Sequence, residues 1–481
     1  MNGRTKAAAL LLSSATLVIM PSCRKGAADG KTAEEHGEES RTENPVTENS
    51  PAENPISENP TTEKTGGKRK EKRNVIDGVT FSNNGKILVS YPMTKDDENY
   101  LIPSSVEEIE DGAFEGNGML KNVVIPYSVK KIGSSAFASC TSLKTLSIPE
   151  NVKEIGEGIV SGCTSLEHFV FPDGMTDIPD ATFSGCTSLK SAVFPKNATT
   201  IGTAAFSSCT SLESAQIPET ITEIPAKSFY RCASLKSIRI PDSVKKIDSY
   251  AFSETGLRTA NIPASVTKIA ECAFSDCQSL MSITVAQANG TYRSDEGMLL
   301  SKNGSSLHVY PAGKTAQSFD IPIFVTRIEP SAFFGNKHLK SVSIPAGVKE
   351  ISYDAFASCT SLSEARISGS VKSIKAGAFS DCASLKSLTL SEGLTEIEAL
   401  AFSSCTSLPS LTLPSTLKKI GPSAFASCTS LKKIEFRKKS GWSHSPPPSF
   451  GKIPVNAEDL TPTNFTDEGG KFTGTGIGRE D

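Results

Sequence analysis

The chain has 481 residues, with 50 Lys and Arg against 53 Asp and Glu, so its formal net charge is −3. A balance this close to neutral leaves no electrostatic footprint for nucleic acid. The length has room for three ordinary domains, but 23 Phe against a single Trp follow a spacing that belongs to one repeated unit.

In chain order, Arg4 and Lys6 precede an apolar run over residues 7–20, broken only by Ser13, Ser14 and Thr16. The run is too short to span a bilayer and has the form of an export signal, expected over 1–22. Met20-Pro21-Ser22-Cys23 resembles a bacterial lipoprotein processing site, which implies Cys23 as the lipid attachment residue and a membrane tether. The alternative is a cleaved secretory signal with an incidental Cys. Residues 23–73 carry Glu43, Glu48, Glu53, Glu58 and Glu63 at a period of five among Asn-Pro pairs. Such a segment cannot bury enough apolar surface to order itself, and reads as a stalk with a reach of about 40 Å. Its basic end, 68–73, is either a solvated junction or a contact for an anionic surface.

Residues 74–101 have a twin. A shift of 219 matches Gly78 with Gly297, Asn84-Gly85 with Asn303-Gly304, Tyr91-Pro92 with Tyr310-Pro311 and Phe114 with Phe333. Asn-Gly between alternating apolar residues signals a β-hairpin. A hairpin cap is therefore predicted over 74–101 and a hairpin insert over 286–320. The insert either shields a coil edge as a cap or spacer, or bends the stack and presents a contact loop.

Between and beyond these units a 23-residue pattern recurs, over 102–285 and 321–436. Its Phe position falls at Phe137, Phe183, Phe206, Phe229, Phe252 and onward to Phe425, with Val160 standing in once. In the turn that begins at Phe137 the apolar positions are Phe137, Leu143, Leu146, Ile148, Val152 and Ile155. Leu146-Ser147-Ile148 alternates as a half-buried strand does, and Pro149 stops it. Ala136-Phe137 suits one helical or 3₁₀ turn. Burying such a side chain is worth roughly 1.5–3 kcal/mol against about 1–2 kcal/mol per ordered residue. One coil therefore cannot stand alone, and stability must come from its neighbours. At strand spacing a stack of such coils would run about 60–70 Å.

The run Leu-x-x-Leu-x-Ile-Pro-x-x-Val-x-x-Ile-x-x-x-Ala-Phe-x-x-Cys resembles the Treponema-type, or BspA-like, leucine-rich repeat. The resemblance implies a β-rich solenoid, a curved stack with a parallel sheet, and in several members bacterial surface adhesion.

Ten cysteines fall three residues after the Phe position, among them Cys140, Cys163, Cys209 and Cys428, with Asn117, Thr255 and Asn336 in the same place elsewhere. Neighbours about 5 Å apart lie within disulfide range, but their Cβ vectors run parallel. Free, buried thiols that hydrogen-bond the adjacent turn are expected. Cys272, off the column, is the one candidate for another geometry. A column does not converge as metal ligands must, and the five His share no metal or nucleophile spacing. No cofactor, metal or catalytic site is expected.

The strand residues alternating with the buried ones should face solvent on the concave side. They are mostly Ser and Thr, with an apolar column at Val124, Val170 and Val193 beside His168; Gln216 and Arg239 follow in later coils. These six are the partner-binding candidates. Residues 437–481 read as a C-terminal cap near Trp442 followed by a loose tail. The reading that results is a non-enzymatic, lipid-anchored protein of a bacterial cell envelope or surface. Its partner would be an extracellular or envelope protein, or a glycan, most naturally as an adhesin. The alternative is a periplasmic scaffold organising envelope proteins.

Overall fold

The computed structural model describes residues 73–438, apart from 193 and 196, and the backbone of Trp442–His444, Ile453–Val455 and Ile477–Arg479. The export segment, Cys23, the stalk up to residue 72 and Val193 lie outside the described residues.

Most coils add one short strand to a parallel ladder, 23 residues after the last, although residues 235–241 form none. Asn99 pairs with Asn122, Asn122 with Thr145, and Thr145 with His168. In Thr145–Ser147 the central Leu146 is buried and its two neighbours are exposed, as the alternation required. Pro149 then closes a turn, its carbonyl accepting the N–H of Val152 at 3.1 Å. Directly afterwards comes a second strand that the sequence reading did not separate. Lys131–Ile132 and Glu154–Ile155 pair in parallel, each only two residues long. Two residues are too few to show a period, so nothing but the apolar Ile marked them.

The Ala-Phe segment closes each coil with bonds of the 3₁₀ type. Ala138 N–H donates to Ser135 O at 2.9 Å and Cys140 N–H to Phe137 O at 3.3 Å. It does not grow into a helix because Ser135 and Ser139 sit at φ 56° and 57°, a left-handed conformation that breaks the run. The N–H groups in between reach to the next coil instead, as Phe137 does to Ile159 O at 2.9 Å. Where both strands form, a coil is thus bonded to the next along three lines.

Inside, like stacks on like. Phe183, Phe206, Phe229 and Phe252 lie ring on ring at 5.1, 5.5 and 5.6 Å, tilted by 13°, 5° and 5°. Leu143, Leu166 and Leu189 are buried in one core. The cysteine column lies beside the Phe file. The Cys163 thiol donates to Phe137 O at 3.0 Å, Cys209 to Phe183 O at 3.1 Å and Cys428 to Phe402 O at 3.1 Å. These are the adjacent-turn bonds that the Thr and Asn replacements implied. Cys272 donates to Ser331 Oγ at 3.1 Å across the insert. Burial pushes the thiols up, Cys140, Cys232 and Cys359 to about 12 and Cys277 to about 11.

Where a run of coils begins, Asn replaces Cys. Asn117 Nδ2 donates to Pro92 O at 3.0 Å, and its Oδ1 accepts from Met119 and Leu120 N–H at 3.0 and 2.9 Å. Asn336 repeats this against Ala312 O, His338 and Leu339. A thiol, with a single weak donor, could not link the cap to the coil and also hold two N–H groups.

The twin units are hairpins as predicted, each with a further strand. Val79–Ser82 pairs antiparallel with Ile87–Ser90, and Met298–Ser301 with Ser306–Val309; outer strands Asn74–Ile76 and Tyr292–Asp295 complete them. The insert separates two cores: Leu299 belongs to the first, Met298 and Leu300 to the second. Its close fit depends on Gly297, since a Cβ there would come within 2.8 Å of Ser282 Cβ. In the N-terminal copy Thr80 stands where Leu299 does, and only half-buried.

At the other end, the stretch read as loose tail supplies a strand. Ile477–Arg479 pairs antiparallel with Lys419–Ile420 and with Trp442–His444. An uncovered ladder edge is a template for pairing, and a short segment with one Ile among Gly residues carries no periodic signal.

Asn117→Ala should cost about 1–3 kcal/mol for each buried N–H left unpaired, and Phe229→Ala about 3–5 kcal/mol, both read from urea unfolding. The thiols should resist a thiol reagent at pH 8 in the native chain and react after denaturation. Because burial holds their pKa above the unfolded value of 9.0, their contribution is intact below pH 9 and is lost as pH rises toward about 12. A native chain labelled rapidly at pH 8 would contradict this.

Candidate functional site

The first four strands of the first ladder, Asn99–Leu101, Asn122–Val124, Thr145–Ser147 and His168–Val170, form one continuous sheet. Tyr100, Val123, Leu146 and Phe169 turn inward, against or into the core. Their neighbours are left outward in two columns set by the register.

One column is polar and largely paired within itself. Asn122 Nδ2 donates to Asn99 Oδ1 at 2.8 Å, and Thr145 Oγ1 to Asn122 Oδ1 at 3.3 Å. His168 continues it, exposed. The other column runs Leu101, Val124, Ser147, Val170, with Leu101 opposite Val124 and Ser147 opposite Val170. Leu101 is 68% exposed, Val124 56% and Val170 53%. Large aliphatic side chains held open on a sheet have no internal contact to make, and aligned exposed apolar groups mark interaction surfaces.

Val124, His168 and Val170 are therefore brought together, while Val193 lies outside the described residues. Gln216 is exposed at the end of a separate two-stranded piece, Ser191–Ala192 with Ser214–Ala215. Arg239 is exposed but occupied: its guanidinium pairs with Glu219 and lies 3.7 Å from Asp242, and the bond to Glu219 raises its pKa. Spacing alone could not show this, because Glu219 is 20 residues away on the preceding turn. Leu101 was missed. The run Tyr100-Leu101-Ile102-Pro103 carries the Ile-Pro end of the repeat strand, but it was assigned to the cap.

Among the described residues no group of three or more His, Cys, Asp or Glu is placed to hold a metal, and no helix is long and apolar enough to cross a membrane. What this face offers is contact: an apolar stripe flanked by amide, hydroxyl and imidazole groups.

Comparison with known proteins agrees with the architecture. The BspA type leucine rich repeat region matches in six copies, over residues 94–213, 199–295 and 312–432. A leucine rich cell surface protein from Faecalibacterium prausnitzii is 32% identical, with 76% of this chain and 95% of that one covered and a TM-score of 0.59. A leucine-rich repeat protein from Bacteroides ovatus is 26% identical over 76% and 92%, with a TM-score of 0.37. The pneumococcal vaccine antigen PcpA is 21% identical over 77% and 88%, with a TM-score of 0.47. No functionally curated protein matches. The chain belongs to the BspA-type leucine-rich repeat family.

Replacing Leu101, Val124 and Val170 one at a time by Ser should each shift stability by no more than about 0.5 kcal/mol, as for surface positions without special contacts. Leu146→Ala, one layer beneath, should cost about 2–5 kcal/mol. Urea midpoints compare the two sets.

Proposed function

We propose that this chain is a non-enzymatic binding module of a bacterial cell envelope, which grips a protein partner on the strand face bearing Leu101, Val124 and Val170 and serves as an adhesin for host matrix or other surface proteins. The observation that carries this is the apolar stripe itself, open on a sheet whose other outward groups are small and polar. Support for the location comes from the export-type N-terminus with Cys23, the stalk that follows it, and the F. prausnitzii relative described as a cell surface protein. Cys23 is the anchor in this reading, and the stalk sets the repeat domain away from the membrane. His168 supplies a hydrogen-bonding edge to the stripe, and Gln216 adds weaker polar contact further along.

The test uses the full chain against a panel of immobilised collagen, fibronectin and laminin, together with protease treatment of intact cells. The repeat domain should be cut from intact cells. At least one matrix protein should bind the wild type and lose about tenfold or more in affinity with Val124→Asp or Val170→Asp. Arg239→Ala, whose side chain is already paired, should bind as the wild type. Protection of the domain until the envelope is broken would contradict adhesion and favour the periplasmic scaffold.

A further inference from the structure

The two hairpin units differ at their outer strands. In the insert that strand, Tyr292–Asp295, is seated on the preceding coils: Tyr292 is buried and its Oη accepts the Ile269 N–H at 2.9 Å. Its outward groups are polar, with Ser294 exposed and Asp295 lying 3.6 Å from Arg293. Among the described residues no coil precedes the N-terminal hairpin. Its outer strand, Asn74–Ile76, ends a six-stranded sheet and is exposed at all three residues. Val75 and Ile76 stand where the twin has Ser294 and Asp295, and they are 67% and 62% exposed. Charges on an edge strand keep it from pairing with another chain, and this strand carries none.

The backbone fixes how such an edge is used. Asn74–Ile76 pairs with Val79–Ser82 through the two-residue turn Asp77-Gly78, whose φ values are 50° and 80°. In such a hairpin the pair flanking the turn, Ile76 with Val79, is the hydrogen-bonded one, and the next, Val75 with Thr80, is not. The Val75 N–H and C=O therefore point away from the hairpin, to the open edge. A residue that presents both a donor and an acceptor there can pair antiparallel with its own copy. About a two-fold axis, the Val75 N–H of each copy donates to the Val75 O of the other.

The same axis matches charge. Centred on Val75, it sets Arg73 opposite Asp77 of the second copy, and Asp77 opposite Arg73 of the second copy. The Asp77 side chain is 83% exposed. Lys95 holds it at 2.8 Å and Asp97 at 3.0 Å, and Asp96 is exposed beside them, so the turn end has three carboxylates around one lysine. The sequence leading into Arg73, Lys68-Arg69-Lys70-Glu71-Lys72, has four basic residues and one acidic. Antiparallel pairing brings each basic lead to the other copy's acidic turn. Parallel pairing would set the two basic leads side by side.

We infer that the N-terminal hairpin is a docking edge for a second copy of this chain, joining two solenoids head to head through Asn74–Ile76 in an antiparallel pair centred on Val75. On one face the two Val75 side chains meet, and on the other Ile76 lies beside Asn74 of the second copy. Three paired residues bury much less than the ~1,200 Å² of a stable dimer, so the association is weak in free solution. Copies held on one surface, as the lipid-anchor reading has them, are concentrated enough to form it. The pair also carries two apolar stripes in the first coils on either side of the junction. That consequence rests on the stripe reading, whereas the pairing itself does not.

Sedimentation equilibrium of the full chain, carried up to millimolar concentration, tests this together with cysteine trapping in a Cys23→Ser background. A monomer–dimer equilibrium should appear. Val75→Pro removes the outward N–H and none of the hairpin's own hydrogen bonds, and should weaken the dimer about tenfold or more. Arg73→Glu should weaken it about two- to fivefold, both with unchanged circular dichroism, and added salt should weaken the wild type. Under mild oxidation Val75→Cys should form a disulfide-linked dimer, its Cα pair lying within bonding range, whereas Ser294→Cys at the twin position should not. A monomer at every concentration, a dimer indifferent to Val75→Pro, or equal trapping at positions 75 and 294 overturns the inference. A monomer whose Val75 amide is protected from exchange would give the edge to another segment of this chain. Dimerisation abolished by Val124→Asp would give the contact to the stripe, and either result equally overturns it.

Discussion

The rest of this structure depends on registry: core side chains lie on their counterparts one coil away, held there by up to three lines of backbone hydrogen bonds. No coil has a second layer of its own, so a Phe such as Phe206 is buried by Phe183 and Phe229 rather than by elements distant in sequence. A period of 23 is the length at which two strands, a proline turn and the Phe-Cys turn close on themselves. One coil is a residue shorter, with Lys246 opposite Lys268. That deletion is absorbed in a turn, because the second ladder continues through Ile247 and Ile269.

Stacking creates a problem at every end, and the chain solves each with a different device. At the start, an antiparallel hairpin covers the first coil and Asn117 ties the two together through its amide. In the middle, the insert faces both ways, with Leu299 on one side and Met298 and Leu300 on the other. Its N-terminal twin has only one coil run to serve, and there Thr80 replaces Leu299. At the far end Ile477–Arg479 takes up the open ladder edge. The interruption at the insert is a splice between two cores.

How much of this could be read beforehand follows from how often a feature repeats. The Phe, Leu and Cys columns return so many times that their burial and the thiol bonds could be argued from substitution pattern alone. The hairpins were legible through the residues they share at a spacing of 219 and through the Asn-Gly turn. What repeats with only two residues, as Glu154–Ile155 does, or occurs once, as Ile477–Arg479 does, was not. The same holds on the outward face. Val124 and Val170 stood out as a column, but Leu101 was lost at a domain boundary, and the pairing of Arg239 with Glu219 needed the third dimension.

The account's central claim is that stability passes from coil to coil within a run and is interrupted at the insert. Native-state hydrogen exchange on wild type and Phe229→Ala measures this most directly. The account predicts that protection falls most in the coils around Phe206, Phe229 and Phe252, fades with distance, and stays unchanged over residues 321–436. An equal loss of protection throughout both runs, or a loss confined to the altered coil, would contradict it.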